Sequence, residues 1–248
     1  LPASRTVVMI PTFNEIESLE RTVREVRQNA PEADVLVIDD NSPDGTGDLA
    51  DRLAADDPAI RVMHRTEKAG LGAAYIAGMR VAMECGYEVA IEMDADGSHP
   101  AEALPALIAA AQTNDLVIGS RYMPGGATEG WARDREVLSR TSNAFARTVL
   151  GIDVSDLTAG FRAYRTDLLR QLRLDCVTSE GYCFQIDMTR ISADAGARIA
   201  EIPIVFRERK LGSSKMTGSI IGEALTKVTG WGVGRRAAQA VSLVRRLR

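Results

Sequence analysis

Short apolar runs rich in β-branched residues recur through the first half of the chain. Between them, apolar residues fall three or four apart. Thr6–Ile10 (TVVMI), Asp34–Ile38 (DVLVI), Ile60–Met63, Val89–Met93 and Asp115–Ser120 (DLVIGS) have the length and composition of buried strands. Pro11 is expected to stop the first of them. A helix is predicted from Ser18, with Leu19, Val23 and Val26 on one face, and others over Asp48–Ala55, Gly70–Cys85 and about Ala101 to Ala111. Beyond Arg121 the pattern weakens. Met123–Gly130 reads as a glycine-rich loop and Arg135–Leu150 as a helix, followed by strands at Gly160–Tyr164 and Ile199–Val205 with a helix from about Phe184 to Ala195 between them. Arg207–Met216 is a basic, glycine-containing loop suited to covering an anionic ligand, and Gly218–Arg248 is mostly helical in pattern.

Strands alternating with helices at this spacing predict an α/β protein: a mostly parallel, Rossmann-like sheet with helices on both faces and a helical C-terminal extension. No internal repeat or linker is evident, so residues 1–217 are assigned to one domain and 218–248 to a basic amphipathic extension. In sheets of this kind ligands sit beyond the carboxyl ends of the strands. Pro11–Glu15, Asp39–Asp40 and Asp94–Asp96 all fall at that edge and would share one polar crevice.

Composition narrows the class. With 248 residues, 45% hydrophobic and 26% charged, the chain suits a soluble globular protein. Cys85, Cys176 and Cys183 make an odd count with no C-x-x-C pair, which argues against a disulfide framework and for a reducing, cytoplasmic setting. Two histidines are too few for a His-based zinc site. No run approaches the ~18 consecutive apolar residues of a membrane span. Because the chain opens on Leu1, a processed or excised segment with further sequence upstream is expected. The net charge of −4 hides an asymmetry: from Lys210 onward there are eight basic residues against one acidic, whereas the preceding part has a net charge of −11. A basic tail of this kind fits an anionic membrane or nucleic acid, and equally a solvated helix face. It lacks the interleaved aromatics that stack bases, so no nucleic-acid partner is expected.

The clearest chemistry lies in Val89–Pro100, VAIEMDADGSHP, where an apolar strand ends in two carboxylates. Asp94 and Asp96, at i and i+2 of an extended chain, point the same way and could meet one hard cation. Mg²⁺ or Mn²⁺ held by few carboxylates keeps open positions for substrate phosphates. A polar turn after a strand is the plainer alternative, and Asp-x-Asp alone does not exclude it. There is no G-x-G-x-x-G after the first strand and no G-x-x-x-x-G-K-[ST], so dinucleotide and P-loop binding are poorly supported.

Five further segments carry a resemblance. IPTFNE (Ile10–Glu15), DDNSPDGT (Asp39–Thr46), GLGAAYIAGM (Gly70–Met79), DADGSHP (Asp94–Pro100) and GSRY (Gly119–Tyr122) together resemble family-2 glycosyltransferases, which adopt the GT-A fold. Downstream, DLTAGFRAYR (Asp156–Arg165), SEGYCFQIDM (Ser179–Met188) and IPIVFRERKLGSSKM (Ile202–Met216) narrow it to the polyprenol (dolichol) monophosphate mannose synthases. The resemblance implies transfer of mannose from GDP-mannose to a polyprenyl phosphate. By it, Pro11, Phe13, Glu15, Ile38 and Asp40 would hold the guanosine, with Phe13 standing where relatives usually have Tyr. Asp94, Ala95 and Asp96 would face the diphosphate and the Mg²⁺ or Mn²⁺, with Ser98 as a weaker third metal ligand where some relatives have Gln. Arg121 matches a substrate-binding arginine, Arg209 and Lys215 the basic residues of a loop over the diphosphate, and Arg135 with Ser139 an acceptor-phosphate pair. Asp96, Arg121 and Arg209 are the expected catalytic residues.

Elementary chemistry is compatible with that assignment. GDP leaves readily only if its developing charge is neutralised. A phosphate acceptor is already anionic near neutral pH and needs no strong base, but it does need cations to hold it beside a second anion. Direct displacement would invert the anomeric centre and give a β-mannosyl phosphate. The acceptor's lipid tail implies a membrane surface as partner, with the protein peripheral at its cytoplasmic face, and leaves room for a separate membrane-spanning partner or a fused upstream domain. A UDP-sugar-dependent relative making another sugar-phosphate lipid is the nearest rival, and a non-catalytic nucleotide-binding or membrane-scaffolding module the more distant one. Among other residues, His99 is expected to bond locally within its turn and Asp39 to cap the following loop, while Asp156 and Arg162 could equally form a buried ion pair orienting the acceptor region.

Overall fold

The computed structural model describes residues 5–179, 181–208 and 225–236. Its main sheet has seven strands in the order β3-β2-β1-β4-β7-β5-β8: β1 (Thr6–Thr12), β2 (Asp34–Asp39), β3 (Ile60–His64), β4 (Val89–Glu92), β5 (Leu116–Ser120), β7 (Arg162–Arg165) and β8 (Ile199–Pro203). β6 (Ala127–Glu129) and β9 (Val205–Arg207) form a separate parallel pair. The helices are α1 (Leu19–Asn29), α2 (Thr46–Asp56), α3 (Leu71–Glu84), α4 (Leu104–Ala110), α5 (Arg133–Leu150), α6 (Thr166–Leu169), α7 (Tyr182–Asp194) and α8, residues 225–236.

Alternation along the strands builds two core layers. Val8 and Ile10 of β1, with Val35 and Val37 of β2, pack against Leu19, Val23 and Val26 of α1 and Leu104 and Leu107 of α4. Val7 and Met9, with Leu36 and Ile38, face the other way onto Ala74, Tyr75 and Met79 of α3. Gly78 lets α3 come this close, because a Cβ there would lie 2.6 Å from Ile38 Cδ1 and 2.9 Å from Met9 Sδ.

Three local expectations, at Pro11, the 123–130 loop and Ile199–Val205, are corrected. β1 runs through Pro11 to Thr12. Met9 accepts from Met93 N on the β4 side, so Pro11, two residues on, turns its missing N–H to that side, beyond the last β1–β4 pair, Met9–Glu92. The 123–130 loop contains β6, and Ile199–Val205 is two strands in different sheets. The mostly parallel sheet holds with one exception, β7, which enters antiparallel to both β4 and β5. β5 therefore still runs parallel to β4, and the ends of β1, β2, β4, β5 and β8 share one edge.

α8 packs on the body rather than standing apart. Val228 is 2% exposed, Trp231 lies against the same core layer as α3, and Arg190 sits 5.2 Å over the Trp231 ring. Arg235 Nη1 and Arg236 Nη2 donate to the carbonyls of Leu150 and Thr148 at the end of α5, where cations favour the exposed helix carbonyls. Residues 209–224 and 237–248, and with them the basic loop and the rest of the extension, lie outside the described residues. No helix of the described residues is long and apolar enough to cross a membrane.

Candidate active site

The crevice begins where β1 and β2 end. Asn14 (φ 61°) and Asn41 (φ 57°) both take the left-handed conformation that Asn tolerates better than most residues. They turn the chain sharply at the strand ends. The loop after β1 is then laced to DDNSPDGT: Asn14 N donates to Ser42 Oγ, Glu15 N to Thr46 Oγ1 and Ile16 N to Asp44 Oδ2. Asp39 accepts from Ser42 N, Ser42 Oγ and Thr12 Oγ1, as a loop-capping carboxylate does.

Asp40 accepts from Arg65 Nη1 at 2.7 Å; burial raises its carboxyl above the ordinary value, with the Arg65 charge opposing. Phe13 lies under Lys68, whose Nζ is 3.7 Å from the ring centroid. Glu15 accepts from Ser18 Oγ at 2.7 Å. Pro11, Phe13, Glu15 and Asp40 thus come together at one rim. Ile38 does not join them: its side chain is fully buried in the α3 layer, the consequence of sitting one residue out of phase with Asp39.

At the end of β4, Tyr75 Oη donates to Asp94 Oδ1 at 2.8 Å. Tyr75 is fully buried, and burial together with the charges of Asp94 and Glu92 holds its hydroxyl protonated far above the usual range, so it stays a donor. Asp94 N donates to His99 Nδ1 at 3.0 Å, the local turn bond expected of His99. This bond leaves the proton of a neutral ring on Nε2, 3.9 Å from Asp94 Oδ2. Asp96 Oδ1 accepts from Ser98 N. Ala95 turns into the core, its carbonyl held by Thr22 Oγ1.

Among the described residues no group of three or more His, Cys, Asp or Glu could hold a metal ion by itself. The residues present nevertheless fit a divalent cation whose remaining positions are filled by water and phosphate. Asp94 and Asp96 supply hard oxygens, and Ser98, whose N–H donates to Asp96 Oδ1, has a buried Oγ with no hydrogen-bond partner among the described residues. An orphaned hydroxyl oxygen is costly unless something occupies it. A cavity of about 290 Å³ opens next to Asp96, lined by Arg21, Gly97, His99, Glu102, Arg207 and Glu208 among others.

On the same edge, at the end of β5, Arg121 is 4% exposed. Its Nε and Nη2 donate to the two oxygens of Asp156 at 2.7 Å each, and Nη2 also reaches Thr158 Oγ1. Asp156 pairs with Arg121 through these bonds, whereas Arg162 turns its donors to the carbonyls of Leu157, Ala159 and Gln185 and to Thr189 Oγ1. That corrects the candidate Asp156–Arg162 pair. Arg121 is boxed by the rings of Tyr122, Trp131 and Phe206 at 5.1–5.5 Å. Arg135 stacks on Trp131 at 4.0 Å, and Tyr122 Oη donates to Ser139 Oγ at 2.6 Å, so Arg121, Arg135 and Ser139 surround one aromatic cluster. Arg209 and Lys215 lie outside the described residues. Tyr75 and Trp131 join the site without belonging to any of the motif positions assigned above. Tyr75 was legible as the one large polar side chain among the small residues of GLGAAYIAGM, and Trp131 as an aromatic flanked by Gly130 and the arginine-bearing α5.

The chain belongs to the glycosyl transferase family 2: that family's model matches residues 7–173. It is a glycosyltransferase with a GT-A fold. The chain is 55% identical over 232 residues to the undecaprenyl-phosphate mannosyltransferase of Micrococcus luteus, covering 94% of this chain and 96% of that one. It is 51% identical over 246 residues to the polyprenol monophosphomannose synthase of Mycolicibacterium smegmatis, covering 98% and 93%. Among solved structures, the glucosyl-3-phosphoglycerate synthase of Mycobacterium tuberculosis in complex with Mn²⁺, UDP and phosphoglyceric acid superposes with a TM-score of 0.66 at 20% identity, over 93% of this chain and 78% of that one.

Proposed function

We propose that the protein transfers mannose from GDP-mannose to a polyprenyl phosphate, with Mg²⁺ or Mn²⁺ as cofactor and inversion at the anomeric carbon. The observation that carries this reading is the pairing, on one sheet edge, of an acidic strand end with an arginine–aromatic cluster. One can face a metal–diphosphate and the other an acceptor phosphate. The names of the relatives at 51–55% identity supply the sugar and the lipid class.

The nucleoside end of the donor is assigned to the rim of Pro11, Phe13, Glu15 and Asp40. Asp94 and Asp96, with Ser98, would hold the cation, which when bound neutralises charge on the departing diphosphate. Tyr75 and the His99 turn keep Asp94 oriented. Arg121 is held rigid by Asp156, and together with Arg135 and Ser139 it is assigned to the acceptor phosphate. That group arrives ionised, so these residues position it rather than deprotonate it. Arg209 and Lys215 remain proposed as further cations for the diphosphate. The acceptor's lipid tail supports a peripheral position at a membrane, proposed to be at its cytoplasmic face, with a membrane-spanning partner or upstream domain compatible with the same reading.

Incubating the pure protein with radiolabelled GDP-mannose and a polyprenyl phosphate, with and without EDTA, tests the proposal. A lipid-extractable mannosyl product that disappears in chelator and returns with Mg²⁺ or Mn²⁺ is expected. Transfer from UDP-glucose but not from GDP-mannose overturns the donor assignment in favour of a UDP-sugar enzyme.

A further inference from the structure

Arg135 Nη1 lies 2.7 Å from Glu208 Oε1, an ion pair whose side chains are 23% and 41% exposed. Glu208 follows β9 and is tied to β6 through Glu208 N, which donates to the Glu129 carbonyl. The preceding residue, Arg207, donates from its N–H to the Ser98 carbonyl in the metal-side turn. Glu208 therefore stands between the acidic end of β4 and the aromatic cluster, and it also lines the cavity beside Asp96.

Next to the ion pair two donors are buried without a hydrogen-bond partner among the described residues, Arg135 Nε and Trp131 Nε1. The guanidinium of Arg135 is stacked 4.0 Å from the Trp131 ring, so the two orphaned N–H groups belong to one local assembly. A fold that buries two adjacent donors and offers the arginine only a half-exposed carboxylate is arranged for a stronger, multidentate acceptor. A phosphate monoester has the oxygens to meet Arg135 and the indole N–H together, which the single Glu208 contact does not.

From this we infer that Glu208 is a displaceable occupant of the acceptor-phosphate site: the phosphate takes Arg135 from it and gains Trp131 Nε1 as a further donor. This deepens the acceptor assignment made above and rests on it. Glu208 acts here through Arg135, whereas Trp131 Nε1 contacts the phosphate itself. One competes with the acceptor and the other fixes its phosphate.

The chain has two tryptophans, so a Trp231→Phe background leaves Trp131 as the sole indole reporter. Its fluorescence is titrated with geranyl phosphate, geraniol and inorganic phosphate, in parallel with acceptor kinetics. A saturable change with geranyl phosphate and none with geraniol is expected. Glu208→Gln should tighten both phosphate ligands by about three- to fivefold, the scale of a partly exposed ion pair. It should lower the acceptor KM without a matching fall in the sugar-nucleotide KM. Trp131→Phe, which keeps the ring but deletes the N–H, should raise the acceptor KM several-fold. Unaltered or weaker phosphate binding in Glu208→Gln overturns the inference. Because inorganic phosphate binding is read without turnover, tightening in a protein that transfers no mannose would sink the proposed activity and leave the anion exchange standing.

Discussion

Both carboxylate oxygens of Asp156 are engaged by one guanidinium, that of Arg121, and neither residue is more than 4% exposed. Burial penalises the Asp156 charge, but the Arg121 charge and hydrogen bonds outweigh it and hold the carboxyl below its ordinary value. Asp156→Asn removes the counter-charge that Arg121 meets through two 2.7 Å hydrogen bonds inside the protein. The expected loss is about 3–5 kcal/mol of stability, read by urea denaturation, together with a large fall in transfer activity. Because the folded pKa is depressed, the stabilisation is present above the unfolded pKa and disappears as pH falls through the folded one. The wild type should therefore lose more stability on acidification than the variant does. An acid limb of the same depth in both proteins would contradict this.

Glu92 behaves in the opposite sense. It is fully buried at the end of β4, opposite Arg162 in the sheet, and accepts from Gln185 Nε2 at 2.8 Å while its other oxygen has no hydrogen-bond partner among the described residues. Burial pushes its carboxyl up to about 8, against the opposing charge of Arg162. The folded state then keeps a proton that the unfolded chain releases above its ordinary value of 4.5. Stability contributed by that proton is fully present below the unfolded pKa and is lost as pH rises toward 8, with a slope approaching about 1.4 kcal/mol per pH unit. Glu92→Gln should flatten this decline and be the more stable protein at pH 8. Thermal denaturation of both proteins from pH 5 to pH 8 measures it, and parallel curves would remove Glu92 as the source.

Tyr75 reaches the proposed cation only through Asp94. Tyr75→Phe keeps the buried ring and its stacking with Phe184 while deleting one hydrogen bond to the carboxylate. Partners of metal ligands commonly change affinity by about 10–100-fold. Half-maximal activity should therefore need at least about tenfold more Mn²⁺, with activity largely recovered at saturation. Asp96→Ala should not recover at any metal concentration. A Tyr75→Phe protein with the wild-type metal requirement would separate this hydroxyl from the metal site.

Much of this architecture is legible from residue patterns because strand and helix periods are local. Apolar runs ending in Asp39–Asp40 and Asp94–Asp96 place the crevice, and the α/β alternation places the helices on both faces. Strand direction leaves no such mark: Gly160–Tyr164 reads as a strand, but nothing in it says that the strand formed there, Arg162–Arg165, enters antiparallel between β4 and β5. Partner choice is equally non-local. Arg121 and Arg162 are both arginines near Asp156, and only the packing of β5 against the 156–158 turn decides that Arg121 takes the carboxylate. The side chain of Ile38 follows the strand's own period of two into the core, which its polar neighbours in the motif do not reveal.

The C-terminal helix separates packing from membrane contact, because its apolar residues divide between two faces. Val228 is 2% exposed and Trp231 joins the core, whereas Leu225 is 43% and Val233 66% exposed. A membrane surface can recruit only the second pair. Trp231→Ala should therefore cost stability, by less than the ~3–5 kcal/mol of a fully buried aromatic, because Trp231 is only partly buried. Val233→Asp should leave the unfolding midpoint nearly unchanged. If the extension docks peripherally, Val233→Asp should weaken co-sedimentation with anionic vesicles, since it removes apolar contact and adds a negative charge near the surface. Raising the salt concentration should weaken binding of the wild type in the same assay. Co-sedimentation insensitive to both Val233→Asp and salt would leave α8 as a packing element and move any membrane contact elsewhere on the protein.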